Sequence, residues 1–139
     1  MEEATTMNGE GGEAPVATAC RGIRGATTVA GAEQDQIEVA TAELLDALVT
    51  ANGFELPDVA AAIFTLSDDL AGTNPAAAAR AHGWDAVPLL MTREHGGDTR
   101  VANCLRVLLL VNTARAQSDV RHVYLREAGE LRPDLATLP

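Results

Sequence analysis

The chain has 139 residues, a formal net charge of −10, 47% apolar residues and only 3% aromatic ones. That length supports one domain with a real core, and the charge argues against nucleic acid and anionic membrane surfaces as partners. All 10 basic residues are Arg and none is Lys, which excludes Schiff-base and lysine-nucleophile chemistry.

Cys20 and Cys104 are far apart and form no C-x-x-C. Two reduced thiols in a cytoplasmic protein are expected. His82, His95 and His122 make no H-x-x-x-H pair, so neither a metal site nor a cofactor is expected. Residues 1–19 lack the basic start and apolar centre of a signal peptide, and no apolar run reaches membrane-spanning length.

Residues 1–19 carry four Glu and three Gly and read as a disordered acidic, glycine-rich extension. The domain is expected over 20–139. Cys20–Val29 reads as a first strand, with Gly22 and Gly25 marking close backbone approach or a bulge. Arg21 and Arg24 are three positions apart and so face opposite ways on a regular strand. At most one of them can share a pocket with Arg106. Residues 33–52 read as an amphipathic helix, with Ile37, Ala40, Leu44, Leu45 and Leu48 at helical spacing and Gly53 as its end.

After a turn at Leu56-Pro57-Asp58, Val59–Leu66 reads as a buried strand and Ser67–Gly72 as a loop. Asn74-Pro75 starts a short helix, Pro75–His82, that ends at Gly83 and carries Arg80. Ala86–Thr92 is a third strand, and Glu94 lies just past it in the polar loop Arg93–Asp98. Cys104–Val111 is the fourth strand and Val120–Leu125, with Tyr124, the last. Leu131–Leu135 is a turn-like tail. Strands alternating with two helices give α/β or α+β, with one mostly buried sheet.

The fourth strand carries the main signal. Six of its eight residues are Val or Leu, with Arg106 among them. Alternation puts Cys104, Arg106, Leu108 and Leu110 on one face and Leu105, Val107, Leu109 and Val111 on the other. A guanidinium in such a run needs an anionic partner. A structural ion pair with a buried carboxylate satisfies that need, and so does a pocket for an anionic ligand. The groups near strand ends are Arg24, Glu94, Arg106 and Tyr124, with Arg80 on a helix. No nucleophile pattern, G-x-G-x-x-G or P-loop accompanies them. Arg and Tyr donate to carboxylates and Glu accepts from a hydroxyl, which suits a small dianion handled without covalent chemistry.

Several stretches then carry a resemblance. Arg21-Gly-Ile-Arg-Gly-Ala-Thr-Thr-Val29 resembles the opening signature of the AroH-class, monofunctional chorismate mutases. Gly83-Trp84, Val87-Pro88, Cys104-Leu-Arg106, Arg121-His-Val-Tyr-Leu125 and Leu131-Arg-Pro-Asp-Leu135 resemble the same family, in order and at near-family spacing. The resemblance covers roughly residues 20–135. It implies an intramolecular Claisen rearrangement of chorismate to prephenate, on the route to phenylalanine and tyrosine. It also implies an α+β fold, a mixed β-sheet with two main helices packed on it, assembled as a homotrimeric pseudo-α/β-barrel with sites between subunits.

By motif position Arg106 meets the substrate's ether oxygen and a carboxylate, and Glu94 accepts from the ring hydroxyl. Arg24 and Tyr124 hold the side-chain carboxylate. Arg80 comes from the neighbouring subunit, Asn74, Ala76 and Met91 line the pocket, and Leu131 and Arg132 belong to a tail that closes near it. The chain departs from the family at Met91, where relatives often carry a cysteine, at Asn74, which replaces an aromatic, and at Ala77, which replaces a basic residue.

Residue by residue, plainer readings stand beside these. Glu94 reads as an ordinary loop carboxylate, Tyr124 as a core aromatic with a satisfied hydroxyl and Arg80 as a solvated helix residue. Cys104 reads as a small core residue, and Arg93, Arg100 and Arg115 as surface. A non-catalytic trimer binding a carboxylate metabolite is the alternative function. An imine deaminase, also a trimer with an interfacial arginine, is a third.

Overall fold

The computed structural model describes residues 17–95 and 101–135. The expected extension lies outside them except for its last three residues, and Ala19 already belongs to the first strand. Of the expected loop Arg93–Asp98, residues 96–98 lie outside them as well, as does Arg100. The elements are β1 (Ala19–Thr28), α1 (Gln34–Asn52), β2 (Val59–Leu66), α2 (Pro75–Ala79), β3 (Leu89–Arg93), β4 (Cys104–Thr113) and β5 (Val123–Tyr124). They form a five-stranded sheet in the order β3-β2-β4-β1-β5. β4 is antiparallel to both β1 and β2, while β3 and β5 join the outsides in parallel. The fold is α+β, built on this mixed sheet and its two helices.

The register sorts the side chains into two faces. Gly25, Val107 and Phe64 are paired in one row, and Ile23, Leu109 and Ala62 in the next. α1 packs on this face. Its buried Ile37, Ala40, Leu44, Leu45 and Leu48 follow the helical spacing read from the sequence. Each fully buried Leu contributes about 1.5–3 kcal/mol. Gly25 allows the approach: a Cβ there would stand 2.8 Å from Leu48 Cδ1 and 3.2 Å from Leu44 Cδ1. α1 opens with the Glu33 N–H donating to Gln36 Oε1 at 3.1 Å. It closes at Gly53, whose φ of 71° suits a residue without Cβ.

The other face carries Arg24, Ala26, Thr65, Arg106, Leu108 and Leu110, and neither α1 nor α2 packs on it. Leu108, Leu110 and Ile63 are half-buried there, and Leu90 is 60% exposed.

β1 is shifted by one residue and β4 runs two residues further than read from the sequence, to Thr113, and three other elements differ more. The short helix stops at Ala79 and widens into a π-type turn over Arg80–Trp84, closed by Gly83 at φ 99°. β3 begins at Leu89 rather than Ala86, because the chain is still leaving that turn and Pro88 has no N–H to donate. The Pro88 carbonyl still accepts from Ala62 N–H at 2.9 Å. β5 is two residues, not six. Just before it, the buried Asn52 side chain replaces a strand partner: Oδ1 accepts from Arg121 N–H at 2.7 Å, and Nδ2 donates to Arg121 O at 2.9 Å. The 3₁₀ turns at Asp68–Leu70 and Arg126–Glu130 were not expected.

Candidate active site

One row crosses the open face. Tyr124 pairs with Ala26, Ala26 with Arg106, and Arg106 with Thr65, on four adjacent strands. Strands lie about 4.8 Å apart, so the row spans roughly 14 Å, the scale of a small metabolite. Ala26 is the small residue between phenol and guanidinium. Arg24 belongs to the same face, two residues from Ala26 and opposite Leu108. Arg21 pairs with Val111 and so faces away, as the three-residue spacing requires.

Glu94 closes one end of the row. Its N–H donates to Leu66 O at 2.9 Å, which carries the β2–β3 ladder one step past β3. Its Oε1 accepts the Thr65 hydroxyl at 2.6 Å and stands 3.2 Å from Arg106 Nε. Both charged side chains are largely buried, at 15% exposure for Arg106 and 19% for Glu94. Glu94 is therefore not an ordinary loop carboxylate, and Arg106 has the buried anionic partner its strand demanded. Losing one member of such a pair strands a buried charge.

Tyr124 closes the other end. It is 1% exposed and packs in a small cluster with Ala26, Val101, Cys104, Ala128 and Leu131. Arg24 Cζ lies 5.9 Å from its ring centroid, within cation–π range. Its hydroxyl is buried without a hydrogen-bond partner among the described residues, where a satisfied hydroxyl was the plainer reading. Such a group costs about 1–3 kcal/mol unless something accepts from it or donates to it. Cys104 is buried in this cluster, as its core reading required, while Cys20 is exposed, and neither is in a disulfide.

His122 supports Arg24 from behind. Its Nδ1 accepts the Arg24 backbone N–H at 3.0 Å, so that nitrogen carries no proton. Burial, then Arg24 and then Arg132 push the His122 pKa below its ordinary value. Arg132 is exposed and held by Asp134, with Nε–Oδ1 at 3.1 Å and Nη2–Oδ2 at 2.9 Å. That contact holds the Asp134 carboxyl below the usual range.

The chain brings together Arg106, Glu94, Arg24, Tyr124 and Leu131, with Arg132 beside them. Asn74, Ala76 and Arg80 sit elsewhere, on α2 and its ends. α2 packs against α1, on the opposite side of the sheet from Arg106. Asn74 caps α2, its Oδ1 accepting from Ala77 N–H at 2.8 Å, and Arg80 is exposed. Met91 pairs with Phe64, a register position on the helical face, and is 40% exposed. Arg93 and Arg115 are exposed, as read from the sequence.

Sequence reasoning overlooked Thr65, Asn52 and His122. The only signal for Thr65 was a lone polar residue in an apolar strand. Its meaning needs the β2–β4 register, which no local pattern carries.

A groove of about 770 Å³ runs between α1 and the turn at 126–130. Asp35, Glu43, Glu127 and Glu130 line it, and Arg126 there is taken by Glu43 at 2.9 Å. Its field repels a dianion, so it does not suit the ligand that the arginines of the open face suit. Among the described residues no group of His, Cys, Asp and Glu could hold a metal ion, and no helix is long and apolar enough to cross a membrane.

Fold and row define a class: an α+β domain that presents paired and stacked arginines, a carboxylate and a buried phenol on the open face of its sheet. Residues 20–135 match the family model for chorismate mutase type I. The chain is 49% identical over 116 residues to the chorismate mutase AroH of Thermus thermophilus, covering 83% of this chain and 95% of that protein. It is 37% identical over 117 residues to that of Bacillus subtilis (strain 168), covering 84% and 92%. A solved chorismate mutase from Clostridium thermocellum superposes with a TM-score of 0.75 at 38% identity, covering 78% of this chain and 97% of that one. The chain belongs to the type I chorismate mutase family.

Proposed function

We propose that this chain isomerises chorismate to prephenate, and does so at the row from Tyr124 to Glu94, as a cytoplasmic enzyme of aromatic amino acid biosynthesis. The observation that carries the site is Arg106 in the sheet's central strand, with Glu94 on one side and Tyr124 on the other. An intramolecular Claisen rearrangement breaks a C–O bond and forms a C–C bond within one molecule. It needs no nucleophile, acid or base. It needs the flexible substrate held compactly, and the charge growing on the ether oxygen stabilised.

Arg106 serves the second need, because a guanidinium stays charged and its fork reaches two acceptors. Glu94 accepts from the ring hydroxyl through the carboxylate that Thr65 anchors. Arg24 and Tyr124 receive a carboxylate, which gives the orphan phenol a partner. Leu131 and Arg132 flank the mouth.

The assembly is a homotrimer in this proposal. Half-exposed Leu108, Leu110 and Ile63, with Leu90, make an apolar face that a single chain leaves open. Asn74, Ala76, Arg80 and Met91 then complete the pocket of the next subunit.

The test is incubation with chorismate and detection of prephenate as the substrate absorbance disappears. Turnover by the wild type that is lost in Arg106→Ala supports the reading. Binding of chorismate without turnover would make the chain a carboxylate-binding module. Neither binding nor turnover would remove the assignment.

A further inference from the structure

The motifs leave Thr65 without a role, yet its side chain makes the short contact that fixes the carboxylate of the site. We infer that Thr65 is a positioning residue for Glu94: its hydroxyl commits one carboxylate oxygen to the protein and so turns the other towards the ligand. This deepens the proposed function and rests on it.

The geometry has three parts. First, the edge strand β3 ends at Arg93 and Glu94 follows it, so β3 itself does not fix the carboxylate. β2 does, at two adjacent residues: Leu66 O takes the Glu94 N–H at 2.9 Å and the Thr65 hydroxyl donates to Oε1 at 2.6 Å. Second, Thr65 is the register partner of Arg106. The residue that anchors the carboxylate and the residue that carries the guanidinium are thus neighbours across one ladder. The same Oε1 stands 3.2 Å from Arg106 Nε.

Third, the two oxygens of Glu94 become unequal. Oε1 is occupied by a hydroxyl donor and a guanidinium, while no described residue donates a hydrogen bond to Oε2. A carboxylate on a terminal sp³–sp² torsion otherwise rotates broadly. A hydrogen bond to a charged acceptor is strong enough to select one orientation. Without it, the carboxylate loses its aim, and an acceptor displaced by an ångström is a poor partner for a ring hydroxyl.

Thr65→Val keeps the shape of the side chain and removes the hydroxyl. kcat/KM with chorismate should fall about tenfold to hundredfold, the value of one hydrogen bond to a charged group. Most of the loss should lie in kcat, because the aim matters at the reacting geometry. Thr65→Ser keeps the donor and should stay within a few-fold of wild type. In a Glu94→Ala background the same Thr65→Val change should cost almost nothing further, since no carboxylate remains to orient.

A merely structural threonine gives the opposite pattern. Its loss would be the same with or without Glu94, and a Thr65→Val enzyme with wild-type kcat likewise overturns the inference. If Thr65→Val does not fold, Thr65→Ala takes its place in the same cycle. An inactive wild type overturns the proposed function first, whereas an active wild type with additive losses overturns only the role of Thr65.

Discussion

The two faces of β4 are made by the same ten residues and do opposite work. Leu105, Val107, Leu109 and Val111 are sealed under α1, each at most 3% exposed. Cys104, Arg106, Leu108 and Leu110 point the other way, into a face with charge, hydroxyls and half-exposed leucine. On the first face the neighbours are mostly apolar, with Thr27 and Thr41 the small buried exceptions and Arg21 at the end of the row, and close packing dominates the energetics. On the second, a buried ion pair and an orphan phenol are retained that an apolar sheet would not need. Such groups are poor devices for stability, so their presence marks the face that handles a ligand. Substitutions on the two faces should therefore separate cleanly: one set changes folding, the other activity.

The largest effect should come from the centre of the open face. Arg106→Ala should lower kcat by about a thousandfold or more, since one preorganised neutral donor is typically worth ~10²–10³ and a full charge should exceed it. Arg106→Lys should recover little, because a point charge cannot serve two acceptors. A variant with wild-type kcat and only a raised KM would give Arg106 a binding role instead. Both outcomes are read from steady-state kinetics with chorismate.

Next comes the claim that the face is completed by another subunit. Arg24→Ala and Arg80→Ala should each inactivate a homotrimer, because each site takes one arginine from either side of an interface. Co-assembling the two variants in equal amounts makes a site intact only when both of its halves come from the right parent. Each choice has a chance of one half, so about a quarter of the sites should be wild-type in composition. Activity near that fraction, with wild-type KM, supports the shared site. Recovery of nothing from trimers confirmed by light scattering would place both arginines in one subunit's pocket.

How far the sequence carried this comparison depends on range. Alternation in Cys104–Val111 separates the faces of β4 with no structure at all, and spacing alone turns Arg21 away from Arg24. The helical spacing of Ile37 to Leu48 and the Gly53 stop are local signals, and α1 follows them. Long-range facts were not legible. That β4 lies between β1 and β2 is a property of the whole chain, and it decides that Thr65 and Ala26 flank Arg106. β5 was over-read for the same reason: its apolar run looks like a strand, but Asn52, from another element, takes over its pairing. Tyr124 and Glu94 were picked out as polar groups near strand ends and given their roles by resemblance, whereas the orphan hydroxyl and the Thr65 anchor needed coordinates. The roles given to Arg80, Asn74 and Met91 still rest on resemblance, since the single chain keeps them away from the row.

A smaller effect tests the sealed face. Leu109→Ala should cost about 2–5 kcal/mol in stability, because a fully buried leucine leaves a cavity under α1. Leu108→Ala, one residue away and half-buried, should cost less within one chain but should weaken assembly. Urea unfolding reads the first and sedimentation at low protein concentration the second. Equal losses of stability with unchanged assembly would mean that the open face is not a subunit contact.

The smallest effect concerns His122, which accepts the Arg24 backbone N–H behind the site. Burial and the nearby Arg24 and Arg132 lower its pKa from the ordinary 6.5. The folded chain therefore binds fewer protons at this site than the unfolded chain as pH falls below that value. Stability is then lost on acidification, from about pH 6.5 down through the lower folded value. The loss has a local cause: protonating Nδ1 removes the acceptor for the Arg24 backbone N–H, 3.0 Å away. His122→Asn offers an oxygen near the same place and cannot titrate. Melting temperatures of wild type and variant should agree near pH 8 and part below pH 6.5, with the wild type falling further. Other groups titrate in both proteins and cancel in the difference. A wild type that gained on the variant as pH fell would mean that His122 is charged in the folded state, and its hydrogen bond from Arg24 would have to be reassigned.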